Sequence, residues 1–431
     1  MEFPKEALEI LERLEDRGWE AWIVGGAVRD ALFSHPLHDI DITTAAHPDQ
    51  IMACFSDCKT ITVGKAFGTV RVLYGEKEYE ITSYRSESGY ADKRHPDQVS
   101  YARHIEEDLK RRDFTMNAMA YHPQRGLLDL FGGKEDYEKG LLRAVGEANE
   151  RMDEDGLRML RACRFAARFS LTLDPDLFSA IKAHALEIHL VSMERCLDEM
   201  TRMLTGPHPD RALFLLQETG LFDVLFPEWG TFQEEGESRL THLPADPVFR
   251  WAGFFAERED LPFSCRGKQA KETLKKWKAS RKLQDQVALL IIEEKTSLPQ
   301  TLRETIYWKK RLGPMAKDLL TFREAKISAA GQKAGCMEVE SLQKERRDLQ
   351  KTWAFLQEIE EKALPTAIQD LALSGKDLKE MGWKEGRDLG ETLLFLFDLV
   401  ASGKIQNQKK ALEEKARAWQ KGGNLGTRNC R

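Results

Sequence analysis

The first apolar residues of the chain fall at helical spacing. Ala7, Leu8, Leu11 and Leu14 share one face between Pro4 and Gly18, which predicts a helix over residues 4–17 with proline near its start and glycine as its stop. The run WEAWIVGG is short, apolar and closed by two glycines, and AVRDALF resumes helical composition. A strand, a tight turn and a helix are therefore expected, with Gly25 and Gly26 at the helix N-terminus. Asp39-Ile40-Asp41-Ile42, TVGKAFGTVRVLYG and KEYEITSYR carry the alternation of strands. From about residue 149 the alternation gives way to helical segments such as EDGLRMLRACRFAARF, SMERCLDEMTRML and DRALFLLQETG, separated by proline and glycine. The expected class is α+β: an α/β domain up to about residue 148 and almost entirely α structure behind it.

At 431 residues the chain is too long for one core and suggests two to four domains. Composition shifts at GPHP (206–209) and in the polar stretch 230–247 mark candidate boundaries. Charged residues at 32% and AVILMFWYC at 42% describe an ordinary globular protein and exclude disorder as the main theme. With 65 Lys+Arg against 71 Asp+Glu the net charge is −6, so any nucleic-acid contact must be local. No apolar run reaches the roughly 18–20 residues of a membrane span, and MEFPKEALEIL is charged and helix-patterned, unlike a signal peptide. A cytoplasmic protein without membrane contact is expected. The seven cysteines show no zinc-site spacing and read as reduced thiols.

Asp39 and Asp41 stand two apart on a predicted strand, so both carboxylates project from one face while Ile40 and Ile42 enter the core. Such a pair suits a hard cation such as Mg²⁺, although an isolated D-x-D is more often only the polar face of a half-buried strand. The context is Gly25-Gly26 before a helix, whose free N–H groups and dipole can hold a triphosphate near the carboxylates. Glu80 is readable as a third carboxylate on a neighbouring strand or as a solvated edge residue.

These residues become recognisable together. GGAVRDALFSHPLHDIDI resembles the GG…DxD opening of nucleotidyltransferases of the DNA polymerase β superfamily, in particular class II tRNA nucleotidyltransferases (CCA-adding enzymes) and the related bacterial poly(A) polymerases. KRRDFTMNAMAY (110–121), LLRAVGEA (141–148), EDGLRMLRACRF (154–165) and SMERCLDEM (192–200) match the family's later motifs in order. The resemblance runs from about residue 20 to 225, returns in 373–407 and is weak between 230 and 365. It implies a polymerase-β-like nucleotidyltransferase head (1–148), then an all-α neck that selects the base (149–206), a helical body (207–305) and a tRNA-binding tail (306–431).

By the same resemblance Asp39 and Asp41 hold Mg²⁺, and Gly26, Arg29, Arg112, Asp155, Arg158, Arg161 and Arg164 bind the nucleotide. Some of this has a physical reading of its own. Lys110, Arg111 and Arg112 can meet a triphosphate while Asp113 or Asn117 reads ribose hydroxyls, unless they form a solvated charge run. Asp155 and Arg158, three apart on an expected helix, place an acceptor beside a donor. Cytosine and adenine each present an amino donor beside a ring acceptor and fit that pair, while uracil and guanine carry the reverse order. Taken alone, the two form an ordinary intrahelical ion pair. Arg195 and Glu199, four apart, are expected to pair and brace the neck. The segment SYRSESGYADKRHPDQVSYARHIEEDL reads as a mobile loop near the site.

The substrates implied are CTP, ATP and the 3′ end of tRNA, with C, C and A added without a nucleic-acid template. Alternatives are an A-only adding enzyme or a poly(A) polymerase and, from another class, a catalytically silent RNA-binding protein. GKAFGTVRV stands where the poly(A) polymerases carry a GRRF-type stretch, which favours CCA addition. Residues 266–282 hold eight Lys/Arg against one acid and form a candidate phosphate-tracking face or solvated helix. A homodimer is left open.

Overall fold

The computed structural model describes residues 1–62, 68–88, 98–229, 238–256, 262–330 and 336–422. It divides into two compact units, Met1–Glu235 with Lys276–Ala279, and Gly236–Lys275 with Ser280–Arg431. In the first unit α1 (Lys5–Glu15) buries Ala7, Ile10, Leu11 and Leu14, as the spacing predicts. Strand β1 (Ala21–Val24) leads through Gly25 into α2 (Gly26–Leu32). Next come β2 (Asp41–Thr44), α3 (Pro48–Cys54), β3 (Lys59–Ile61), β4 (Thr69–Tyr74) and β5 (Lys77–Ser83).

The described strands form a seven-stranded sheet in the order β3-β4-β5-β2-β1-β8-β9, where β8 is Met119–His122 and β9 is Gly126–Asp129. Only β2 and β5 pair in parallel within it. Strand β1 is buried throughout, because both faces of the sheet are covered. Ala21 and Ile23 join α1, Ile42, Val70, Val72 and Ile81 on one side, while Trp22 and Val24 meet Tyr84, Leu109 and Ala120 on the other. The two residues per repeat of β1 thus feed two cores.

Two readings of the head change. Strand β2 starts at Asp41, and Asp39 lies in the irregular segment before it. The in-out alternation persists across the boundary, with Asp39 and Asp41 exposed and Ile40 and Ile42 buried. The stretch read as a loop after Ser83 carries antiparallel strands β6 (Arg85–Ser88) and β7 (Gln98–Tyr101), followed by α4 (Ile105–Lys110); residues 89–97 lie outside the described ones. Its Ser and charged residues give no strand alternation, because the two strands are held by pairing with each other.

Behind the sheet, α5 (Gly133–Glu138) opens on a second glycine pair. A Cβ on Gly133 would stand 2.1 Å from the Thr115 carbonyl oxygen, so only glycine lets α5 pack against the short 3₁₀ turn Thr115–Asn117. Helices α6 (Ala148–Glu154), α7 (Leu157–Arg168), α8 (Pro175–His184), α9 (Met193–Leu204), α10 (Pro209–Glu218) and α11 (Leu221–Leu225) follow. One short parallel pair interrupts them, joining β10 (Leu141–Leu142) to β11 (Thr172–Leu173).

The described part of the second unit is helical, from α12 (Arg239–His242) to α21 (Lys409–Gly422). Its interior holds an ion pair of Arg239 with Glu294 at 2.8 Å, both side chains at most 5% exposed. Among the described residues no helix is long and apolar enough to cross a membrane. The cysteines Cys54, Cys58, Cys163, Cys196 and Cys265 are free thiols.

Gly133→Ala tests how tightly α5 is seated. The clash is with backbone and cannot be relieved by a rotamer change, so a loss of about 1–3 kcal/mol is expected, visible as a lower thermal midpoint; an unchanged midpoint would show that the close approach is dispensable.

Candidate active site

Sheet register brings the first components together. Val24, the last residue of β1, pairs with Asp41, the first of β2, and Asp41 pairs in parallel with Glu80 on β5. Residues paired in register project to the same face, so Glu80 stands beside Asp41, half exposed and 3.6 Å from Arg71. Gly25 follows Val24 with φ 73° and donates its N–H to the Met119 carbonyl at 3.0 Å. A Cβ on Gly25 would lie 2.9 Å from Arg112 Nη1. Glycine is required there twice, for the backbone conformation and for the guanidinium lying over it.

Arg112 is held by the buried Asp108, whose Oδ2 accepts from Nη2 at 3.1 Å, while Asp108 Oδ1 accepts from Arg111 at 2.7 Å. Burial works against the Asp108 charge, yet the two guanidinium groups hold its carboxyl below the usual 3.8. Arg112 Nε is buried and has no hydrogen-bond partner among the described residues. Solvent reaches Asp41, but the surrounding wall pushes its carboxyl up from 3.8; Arg112 opposes that rise, and Glu80 and Asp39 add to it. Carboxylates that repel one another at an open strand end, facing a cation, are a donor set that fits a divalent metal and its phosphate ligands. A separate group, Asp153, His184 and Glu187, also brings its ligand atoms within 4.8 Å of one another. It lies towards the surface of the neck helices, where such groups are common without an ion.

Asp113 joins this wall to the neck. Its Oδ2 accepts from Arg161 Nε and Nη2 at 2.8 and 2.6 Å, and its Oδ1 accepts from the Phe114 N–H at 2.8 Å and Asn117 Nδ2 at 3.1 Å. Burial opposes its charge, but Arg161 and Asn117 draw the carboxyl down to about 2. Asn117 Oδ1 in turn accepts from Arg29 Nη1 at 2.5 Å. Arg29 is only 3% exposed, donates from Nε and Nη2 to Asp30 Oδ1 and lies 4.3 Å from the Phe169 ring. Asp113, Asn117 and Arg29 thus form one chain of buried hydrogen bonds, with Arg29 Nη2 lying 3.4 Å from where a Cβ on Gly26 would stand.

The base-reading pair is arranged differently from the expectation. Asp155 is no helical residue; with φ −148° and ψ 103° it caps α6 in extended conformation before Gly156 opens α7. Its carboxylate accepts two hydrogen bonds from Arg195, at 3.1 and 2.7 Å, and one from the Leu157 N–H at 3.0 Å. Arg158 donates to Glu154 and to the carbonyls of Arg151 and Arg111, both at 3.1 Å. Neither the Asp155–Arg158 nor the Arg195–Glu199 ion pair is formed. Glu199 accepts instead from Arg164 at 2.5 Å and lies 3.8 Å from Arg161. Helical spacing could not reveal an Asp155–Arg195 contact across 40 residues, because α9 has to fold back on α7 before it exists. Asp108 was open to inspection, standing three and four residues before Arg111 and Arg112.

Comparison with known proteins decides the family. A family model for the poly(A) polymerase head domain matches residues 21–143, one for a probable RNA- and SrmB-binding site of polymerase A matches 170–232, and one for a putative tRNA nucleotidyltransferase domain 2 matches 261–416. The CCA-adding enzyme of Streptococcus pneumoniae (strain CGSP14) is 36% identical over 421 residues, covering 95% of this chain and 96% of its own. The chain belongs to the CCA-adding enzyme family. The CCA-adding enzyme of Geobacillus stearothermophilus is 35% identical over 95% of both chains. The structure of the Bacillus stearothermophilus CCA-adding enzyme in complex with CTP aligns with a TM-score of 0.75 at 32% identity, over 98% of this chain and 100% of that one. Likeness to CCA-adding enzymes thus continues through residues 230–365, where motifs alone gave little.

The Asp113 clamp makes a direct prediction. Asp113→Asn keeps the shape and removes the charge, leaving Arg161 without its main counter-ion, and should cost about 2–3 kcal/mol because Arg161 is one-third exposed. The carboxyl is held down from 3.8 to about 2, so its contribution is complete at neutral pH and is lost as the pH falls between those values. Denaturation at neutral pH should show the full difference, and equal stability of the two proteins would remove Asp113 from its place.

Proposed function

We propose that this chain adds C, C and A to the 3′ end of tRNA from CTP and ATP, without a nucleic-acid template and with release of pyrophosphate. The observation that carries the reading is the placement of Asp41 at the mouth of the sheet, one strand from the Gly25 turn, beside Glu80 and within the field of Arg112, in a chain related to CCA-adding enzymes over nearly its full length.

In this reading the RNA 3′-oxygen forms a bond to the α-phosphorus while the α–β phosphoanhydride bond breaks and pyrophosphate leaves. Asp39 and Asp41 hold Mg²⁺, with Glu80 as a further carboxylate at the same edge. The ion, when bound, favours the ionised 3′-hydroxyl and offsets charge developing on the phosphates. Arg112, held by Asp108, supplies a fixed positive charge over Gly25 and Gly26, where the triphosphate lies. Asp155 and Arg158 offer acceptor and donor to the base edge; Arg195 orients the first and Glu154 the second. Arg161 and Arg164 run on along α7, tied to Asp113 and Glu199, and with Arg29 support the nucleotide pocket from behind.

Uracil or guanine would place donor against donor and acceptor against acceptor, leaving buried groups unpaired, a mismatch worth up to about 10⁴-fold in such sites. Two substitutions test the assignment on tRNA lacking its CCA end. Asp41→Asn should lower nucleotide incorporation by about 10³-fold or more while CTP binding survives, and full activity would remove the metal role. Asp155→Ala should erode the rejection of UTP and GTP by about 10-fold or more; unchanged rejection would refute base reading by that carboxylate.

A further inference from the structure

A cavity of about 350 Å³ opens at the far end of α7, between Arg164 and Arg168 on that helix, Arg202 near the end of α9, and Thr205, Gly206 and His208 in the turn into α10. Three arginines and a histidine face it and no acidic side chain lines it. What counter-charge exists is thin. Glu199 is shared between Arg164 and Arg161, and Asp198 meets Arg202 at 2.9 Å with both side chains about 60% exposed. Exposed pairs of that kind hold little energy, so Arg202 can exchange Asp198 for an anion in the cavity. Arg168 lies over the Phe169 ring at 4.9 Å, and Arg161 and Arg202 both oppose the charge of Arg164. Like charges gathered around a concave surface favour an anion that several guanidinium groups can share.

We propose that this cavity seats a backbone phosphate of the RNA strand whose 3′ end is being extended. The inference rests on the function proposed above and adds a second anion site to it. Arg168 is ten residues, roughly 15 Å of helix, from Arg158. The incoming triphosphate already has its cation at Arg112 over the Gly25 turn, so the phosphate at the cavity comes from a different part of the substrate. A helix that reads the base at one end and holds the strand at the other would keep the growing 3′ end in register with Asp155.

The test is equilibrium binding of tRNA lacking CCA to the full-length protein over a range of salt concentrations. Arg168→Ala/Arg202→Ala should weaken binding about 10-fold and flatten the slope of log affinity against log salt by about 0.7–0.9, the share of one phosphate. The KM for CTP at saturating RNA should not change. Arg202→Gln alone, at an exposed position that does not threaten folding, should give part of the loss. Neutral methylphosphonates placed singly along the 3′ strand should weaken wild-type binding at one position and leave the double variant indifferent there. Unchanged RNA affinity and salt slope in the double variant would overturn the proposal, as would a raised KM for CTP with RNA binding intact, which would make the cavity a triphosphate site. Wild-type protein that binds this tRNA but adds no nucleotide would overturn the underlying function instead.

Discussion

A single buried carboxylate, that of Asp113, ties the wall of the candidate site to the helices behind it. One oxygen takes both donors of Arg161 on α7, and the other takes the Phe114 N–H and Asn117, which passes the chain of contacts to Arg29 on α2. Burying that charge is costly, and the cost is met only because every strong partner is in place. Arg29 then packs on Phe169 from the same helix, so polar and aromatic contacts fix α7 to α2 from two sides. The helix that carries Arg158 and begins just after Asp155 is thereby set at a fixed offset from the Gly25 turn and Asp41.

Charge is distributed to the same end. At the mouth of the sheet Asp39, Asp41 and Glu80 repel one another and Arg112 partly offsets them, a donor set that fits a divalent cation. Of the eight cations in 266–282, Arg266 is buried against the Ala256 carbonyl, and Lys271, Lys276, Lys278 and Arg281 sit in ion pairs. That run looks in sequence like a phosphate-tracking face, and in the structure four of its eight cations sit in exposed ion pairs, which hold little energy.

Features held within a few residues were legible from the start. The α1 face, the β1–glycine–α2 turn and the alternation around Asp41 depend on local spacing, and the structure keeps them. What sequence alone missed depends on contacts between distant segments. Asp39 falls outside β2 because the strand begins only where β1 and β5 supply partners. Asp155 leaves the helix because α6 and α7 break at Gly156, and its carboxylate is claimed by Arg195. Arg29 is buried beside Gly26 and bonded to Asp30 and Asn117, and the Asn117 partner, 88 residues away, is not visible in local spacing. The antiparallel pair β6–β7 carries no apolar alternation in its sequence.

The most direct measurement is the sequence of the product. Wild-type protein, Mg²⁺ and all four nucleoside triphosphates are supplied to tRNA ending before the first C, and the extended 3′ ends are read. The account predicts C, C and A in that order and then arrest, with no U or G at any position. A tract of A, addition only to tRNA already ending in CC, or no addition at all would contradict it.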